Sequence, residues 1–271
     1  DAMATAPSPA GLSVGKALQD GWQMFRRNPW PFVGFLLLSF GCSLTLELLP
    51  EPATWIGNRL IDLWASIGLM RGVWLGLQGK PPSFGDLIKI NPKATWRLFS
   101  RQFVLGLLLM LISGATVALA VKAAEATPLA MDLLNRTMAM DSSDPNQMSA
   151  LLPSAQNLAL QLLGSPIALL LLLVGVALNL YLQVNQAFLG YLAVLQGLGP
   201  IQALQVGFTT VQRLWWSVLG LLALQVGVVL LGVLACGFGV LAAIPVVTAM
   251  SASAYRQLFG DDDAAGFLSG R

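Results

Sequence analysis

Four long stretches of the chain contain no charged residue. These stretches cover residues 28–46, 102–121, 145–212 and 214–255. Because about 20 consecutive apolar residues cross the hydrocarbon core of a bilayer as a helix, apolar runs of this length predict membrane-spanning helices. A soluble helical protein would need a charged face on each helix, and these stretches cannot supply one.

The composition of the chain supports the same class. The sequence is 56% hydrophobic and 10% charged, whereas soluble domains carry about 25% charged residues. It contains no histidine, which excludes His-ligated metal or haem and any Ser-His or Cys-His catalytic arrangement. The net charge of +2 is too small to suggest a nucleic-acid partner. We expect neither a cofactor nor a metal site.

We predict an all-α polytopic membrane protein with about six transmembrane helices, arranged as three hairpins. The integral membrane domain covers residues 13–260, between a disordered tail at 1–12 and a polar tail at 261–271. The polar segment 123–164 is predicted to be extramembrane and to form short helices. The predicted spans are 32–49, 53–78, 102–122, 165–196, 216–235 and 240–258.

The start of the chain recurs twice further along. Gly21 aligns with Gly207 and Arg27 with Arg213 at one constant offset, and a fainter copy surrounds Trp96. The predicted repeats cover 13–78, 84–196 and 201–258. Each begins with an amphipathic segment, at 13–28, 84–100 and 201–212, which predicts a helix lying in the membrane interface. For the first of these helices, the apolar face either dips into lipid or packs on the bundle, and both alternatives stay open.

One arginine occupies the corresponding position in each repeat. These residues, Arg27, Arg101 and Arg213, are candidate contacts for lipid headgroups, because a guanidinium group suits phosphate. The alternative is that they only anchor the chain on its positive side.

Amide side chains form a second candidate feature, on the fourth predicted span. Asn179, Gln183 and Gln186 fall on one helical face, with Asn185 beside them. Such a face cannot meet hydrocarbon cheaply, so it is expected to face the bundle. It provides either hydrogen bonds between helices or an intramembrane polar pocket for a headgroup or solute.

Three further features concern charge and cysteine within the spans. Arg59 and Asp62 can pair at a spacing of i, i+3, and Arg71 is expected to reach the inner membrane surface. Cys42 and Cys236 lie near the outer ends of predicted spans. We expect two separate buried thiols, although a disulfide between them stays open.

The positive charges predict the orientation. With six spans, 12 of the 15 Lys and Arg residues fall on one side, and the exceptions are Arg59, Lys122 and Arg136. Cytoplasmic loops carry the excess of Lys and Arg in membrane proteins. Both termini are therefore expected on the cytoplasmic side, or on the equivalent side of an internal membrane.

Three motifs together resemble a known family. They are the opener G-W-x-x-F-[RK]-x-N-P from Gly21 to Pro29, the element Phe84-x-Asp86-Leu87, and an ending between Gly237 and Gly260 with A-Y-R-Q-L-F-G. The chain is similar to the bacterial six-span membrane domain attached to some glycerophosphoryl diester phosphodiesterases, and to its stand-alone relatives. The resemblance implies the fold rather than an activity.

The sequence favours a non-enzymatic integral membrane protein that binds lipid or organises a membrane complex. The carboxylates are mostly peripheral, and no base accompanies the serines in or beside the spans, so a hydrolase is not expected. Membrane lipids are the expected partners, and association with other membrane proteins stays open. The alternative is a transporter or carrier of a small or amphiphilic solute, which internal repeats and the amide face would suit.

Overall fold

The computed structural model describes residues 11–140, 145–235 and 237–268. In these ranges it is all α, with 83% of the described residues in helices and no strand. Among the described residues, four helices are long and apolar enough to cross a membrane, or five if a bent pair is counted as one span. The all-α prediction is confirmed, and the apolar helices are consistent with an integral membrane protein.

The helices follow closely on one another along the chain. They are α1 (Val14–Arg27), α2 (Trp30–Leu46), α3 (Glu51–Leu77), α4 (Phe84–Ile88), α5 (Pro92–Ala123), α6 (Thr127–Met138), α7 (Pro145–Gly164), α8 (Pro166–Asn185), α9 (Leu189–Tyr191), α10 (Pro200–Val211), α11 (Trp215–Leu234) and α12 (Val240–Phe259). A π-helical turn at Leu192–Gln196 follows α9, and a 3-10 turn at Gln212–Leu214 joins α10 to α11.

Two predicted spans are not candidates by themselves. α2 has 17 residues and qualifies only together with α1, from which it is bent by 89°. α12 matches the sixth predicted span in its bounds but is not among the candidate helices. The number of six spans, the hairpin layout and the internal repeat therefore stay predictions.

The predicted interfacial helix at 84–100 is wrong as a single element. α4 is one short turn, closed by a capping box in which the Asp86 carboxylate accepts from the Ser83 N–H at 2.9 Å. A new helix then starts at Pro92, where Asn91 Oδ1 accepts from the Ala94 N–H at 3.1 Å. Proline suits the first position of a helix. α5 consequently continues without interruption into the third predicted span.

The chain forms two compact units, Asp1–Val104 with Val184–Arg271, and Leu105–Gln183. The first unit is built around α12, against which α1, α2, α3 and α11 pack. The face of α12 that packs includes the small residues Ala249, Ala252 and Ser253, all buried. Gly21 of α1 comes so close that an added Cβ would lie 2.8 Å from the Val246 carbonyl oxygen.

The apolar face of α1 is packed on this bundle. Ala17, Gly21, Met24 and Phe25 are buried, which supports the packing alternative for that face. Ser13 caps the helix as its side chain accepts from the Lys16 N–H at 3.3 Å. Of the predicted disordered tail 1–12, residues 1–10 lie outside the described residues, and Leu12 is buried.

The predicted polar tail at 261–271 is folded in the part that the structure describes, residues 261–268. The Asp263 carboxylate accepts from the N–H groups of Phe267 and Leu268 at 2.8 and 2.7 Å, which closes a turn. The Ala265 N–H donates to the Leu195 carbonyl at 2.8 Å. Phe267 is only 2% exposed. The C-terminal segment is thus tied to the first unit by one apolar side chain and several hydrogen bonds.

The second unit contains the polar segment 123–164 between two apolar helices. The predicted short helices are confirmed as α6 and α7, which contact each other, and Asp132 pairs with Arg136 at 2.8 Å within α6. α5 and α8 approach at Gly175, where an added Cβ would lie 2.6 Å from Thr116 Oγ1. Elsewhere these helices bury little, and none of residues 105–119 is buried.

Candidate functional site

A polar stripe runs along α1 beside its buried face. Lys16, Asp20, Gln23 and Arg27 occupy positions i, i+4, i+7 and i+11, which lie on one side of a helix. The stripe forms one wall of an open cavity of about 420 Å³, which we call the polar cleft. Its remaining walls come from α1, the end of α3, α12 and the following turn, through Met24, Gly76, Leu77, Ser253, Arg256, Gln257 and Asp261.

Some charges of the polar cleft are already bound within the protein. The Arg256 guanidinium pairs with the Asp261 carboxylate, with 2.8 Å between Nη2 and Oδ2, and donates from Nη1 to the Leu77 carbonyl at 3.0 Å. Asp20 Oδ2 accepts from Ser253 Oγ at 2.6 Å. Lys16 and Arg27 are exposed, and neither forms an ion pair with another described residue. These two cations are therefore free to meet an anion.

The three arginines at corresponding repeat positions have different environments. Of the three, only Arg27 lines the polar cleft. Arg101 is 6% exposed and donates to the carbonyls of Leu198 and Arg97 and to Ser100 Oγ. Arg213 is exposed in the 3-10 turn that follows α10. Arg101 has a structural role in joining helices, which leaves Arg27 and Arg213 as candidate headgroup contacts.

The predicted amide face is interrupted because α8 ends at Asn185. Asn179 donates to the Gly175 carbonyl at 2.9 Å and accepts from Ser113 Oγ at 3.3 Å. Gln183 is exposed. Gln186 lies beyond the helix end, buried, and donates to the Leu204 carbonyl at 3.0 Å. Asn179 and Gln186 each make packing hydrogen bonds, which supports the structural alternative for these amides.

The environment of Arg71 differs from the one that its sequence position predicts. Arg71 is buried, and its Nη1 donates to the carbonyls of Lys89 at 2.8 Å and Asp86 at 3.4 Å, at the C-terminal end of α4. The ring of Phe267 lies 4.8 Å from its guanidinium carbon. None of these three partners is near Arg71 in sequence, so no local pattern signals this environment. The Ser83 hydroxyl and N–H bind the Asp86 carboxylate and hold the pKa of that group below its usual range.

A second cavity of about 520 Å³ is an apolar groove between α2, α3 and the start of α12. Leu36, Phe40, Ile61 and Ile244 are among its lining residues, and Asp62 stands at its edge. Asp62 lies 3.9 Å from Arg59, as the spacing predicts, and both side chains are exposed. None of the three amides of the predicted face lines this groove or the polar cleft.

The part of the chain that the structure describes brings together no three His, Cys, Asp or Glu side chains that could hold a metal ion. Cys42 is a free, partly buried thiol, and Cys236 lies outside the described residues. Comparison with family models, with curated proteins and with solved structures finds no match to this chain.

Proposed function

We propose that this protein is a non-enzymatic integral membrane protein that binds lipid headgroups on its basic side. The observation that carries the proposal is the polar cleft. There, α1 presents the exposed cations Lys16 and Arg27, and the apolar helix α2 follows directly after α1. Cations at a membrane surface attract lipid phosphates, and a guanidinium group can hold two phosphate oxygens at once.

The direction of α1 supports a position at headgroup level. α1 and α2 meet at 89°, so if α2 enters the bilayer, α1 lies along its surface. Trp30, which is 78% exposed at the start of α2, and Trp22, which is 49% exposed on α1, flank this corner. Tryptophan is enriched at the boundary between lipid and water. The polar cleft beside α1 then opens among the headgroups.

The proposal extends to topology and family. Six spans in three hairpins, with both termini on the cytoplasmic side of a bacterial inner membrane, would place the basic residues of α1 at an anionic lipid surface. We also propose that the chain is related to the membrane domain of glycerophosphoryl diester phosphodiesterases, which it resembles in sequence. We also expect assembly with other membrane proteins, which could pack against the exposed apolar faces of α5 and α8.

The alternative of a solute carrier has no comparable support. It was based on the internal repeats and on the amide face, and neither described cavity includes Asn179, Gln183 or Gln186.

Lipid retention by charge variants tests the proposal. The double variant Lys16→Ala/Arg27→Ala should lose about tenfold in the amount of phospholipid that stays bound to the purified protein, because charge-assisted hydrogen bonds are removed. Native mass spectrometry of protein released from nanodiscs measures this amount. Arg26→Ala is the matched control, since Arg26 is an exposed neighbour on α1 that does not line the polar cleft. An equal loss in the control, or no loss in the double variant, would count against the proposed site.

A further inference from the structure

The polar cleft contains a carboxylate between its two free cations. Asp20 lies on the α1 stripe between Lys16 and Arg27, and it is only partly buried. Ser253 of α12 donates to Asp20 Oδ2 at 2.6 Å, which fixes the carboxylate at the wall of the cleft. A site meant only for an anion would be weakened by this fixed negative charge. The arrangement suits a ligand that carries both signs of charge.

The direction of helical side chains decides which cation works with Asp20. Side chains on a helix tilt toward its N-terminus, so Arg27 leans back toward Asp20, whereas Lys16 leans away from it. Seven residues separate Arg27 from Asp20, which is roughly 10 Å along a helix axis. The long arginine side chain shortens this gap from one end, and a ligand with adjacent opposite charges can bridge the remainder.

The lining also indicates what kind of cation the ligand carries. A carboxylate binds a primary ammonium group through charge-assisted N–H donors, and a quaternary ammonium has no such donor. Proteins recognise quaternary ammonium groups with aromatic rings, and none of the described residues that line the polar cleft is aromatic. The chemistry therefore favours a primary amine over a choline group.

We propose that the polar cleft recognises a phosphoethanolamine group, with its phosphate on Arg27 and its primary ammonium on Asp20. This inference rests on the proposed function, which it deepens by naming the headgroup. The same group occurs in phosphatidylethanolamine of the bilayer and in water-soluble phosphoethanolamine, and the two sources need separate tests.

The lipid arm compares headgroups that differ only in methylation. The protein is placed in nanodiscs with equal amounts of phosphatidylethanolamine and phosphatidylcholine, and the bound lipids are counted by native mass spectrometry. The wild-type protein should retain about fivefold more phosphatidylethanolamine, as expected when one charge-assisted contact is lost on methylation. Equal retention of the two lipids would exclude phosphatidylethanolamine of the bilayer as the ligand and needs no variant to show it.

Variants separate this inference from the proposed function. Asp20→Asn keeps the shape of the side chain and should lower the retained phosphatidylethanolamine to about the level of phosphatidylcholine, while the retained phosphatidylcholine stays near that of the wild type. Arg27→Ala should lower both lipids together, and Arg26→Ala should change neither. If Arg27→Ala lowers the total but Asp20→Asn leaves the preference intact, the lipid site stands and the phosphoethanolamine assignment fails. Size-exclusion profiles and circular dichroism identify any variant that has not folded.

The soluble arm uses O-phosphoethanolamine and O-phosphocholine, titrated against delipidated protein in detergent. Binding of the first and not the second supports the recognition chemistry. If it occurs without any lipid preference in nanodiscs, the ligand is the soluble compound and the lipid source is excluded. A lipid preference without soluble binding identifies phosphatidylethanolamine as the ligand. Failure to discriminate in both arms overturns the inference.

Discussion

The two compact units use apolar residues in opposite ways. In α12 of the first unit, ten of twenty residues are buried, whereas no residue in the 105–119 part of α5, in the second unit, is buried. Both helices lack charge over most of their length, so the absence of charge does not distinguish them. Apolar character therefore suits a helix to a lipid environment, whereas its close packing against other helices depends on side-chain size.

The two helices also differ in the size of the side chains that they present to their neighbours. Lipid chains are as apolar as leucine, so helices in a bilayer associate through close packing of small residues rather than through the hydrophobic effect. α12 presents Ala249, Ala252 and Ser253 to its neighbours, while the 105–119 part of α5 includes Leu107, Met110 and Leu111, all exposed. The second unit brings its apolar helices together chiefly at Gly175 and Thr116.

The largest effect is expected from Gly68→Val in the first unit. An added Cβ at Gly68 would meet the Leu87 carbonyl oxygen and lie 2.6 Å from Phe35 Cζ. Because a backbone atom cannot move aside, we expect a loss of about 3 kcal/mol or more in folding free energy. Thermal unfolding followed by size exclusion measures it. The control is Gly41→Val on α2, which meets nothing within 4 Å, and equal loss in both variants would contradict the packing of the first unit.

The next effect concerns the folded C-terminal segment. Phe267→Ala removes a buried ring that lies beside the Arg71 guanidinium group, and such truncations cost about 3 kcal/mol. A lower unfolding temperature and faster hydrogen exchange at residues 263–268 should result. Phe238→Ala, at an exposed ring of the same unit, serves as the control. If both variants match the wild type, the segment does not contribute to the core.

A smaller effect is expected where the second unit has its close helix contact. Gly175→Val would crowd Thr116, but a side chain can rotate, so the cost should be about 1–2 kcal/mol. Hydrogen exchange of α5 and α8 in nanodiscs would report the loosened pair. Gly114→Val, where an added Cβ meets nothing within 4 Å, should leave the exchange unchanged. Identical exchange in the two variants would show that the contact is not closely packed.

The smallest loss of folding free energy is expected from a substitution on the exposed face of α5. Met110→Ala changes a side chain that is 74% exposed, and substitutions away from packed contacts usually stay within about 0.5 kcal/mol. Met250→Ala in α12, at a fully buried position, should instead cost about 2–5 kcal/mol. Thermal unfolding of the two variants sharpens the comparison, and a comparable loss at both sites would break it.

Helix ends were predicted well from the sequence where a proline or glycine beside the helix marks its end. The predicted bounds 53–78 and 240–258 differ from those of α3 and α12 by at most two residues, because Pro50 and Gly79 flank one helix and Gly237 and Gly260 flank the other. The predicted helix at 84–100 failed because a proline can start a helix as well as end one, and Pro92 starts α5.

The features of the site that the sequence did not predict have a different cause. They are formed by residues that lie far apart along the chain. The stripe from Lys16 to Arg27 is readable as helical spacing, but the opposite wall of the polar cleft comes from Ser253 and Arg256, which no local pattern links to α1. The C-terminal segment looked polar because its anchor is a single aromatic residue, Phe267, whose partner Arg71 is far away in sequence. The prediction of a continuous amide face failed because no Gly or Pro next to Asn185 marks the end of the helix there.

Membrane depth tests the central claim most directly. Spin labels are attached at positions 23 and 110, one per protein, in a background where Cys42 and Cys236 are replaced by alanine, and their access to oxygen and to a water-soluble nickel complex is measured in lipid vesicles. If α5 crosses the bilayer and the polar cleft opens among the headgroups, the label at 110 should be deep and accessible to oxygen, and the label at 23 should lie at headgroup depth. A label at 110 that the nickel complex reaches freely, or a label at 23 in bulk water, would contradict the account.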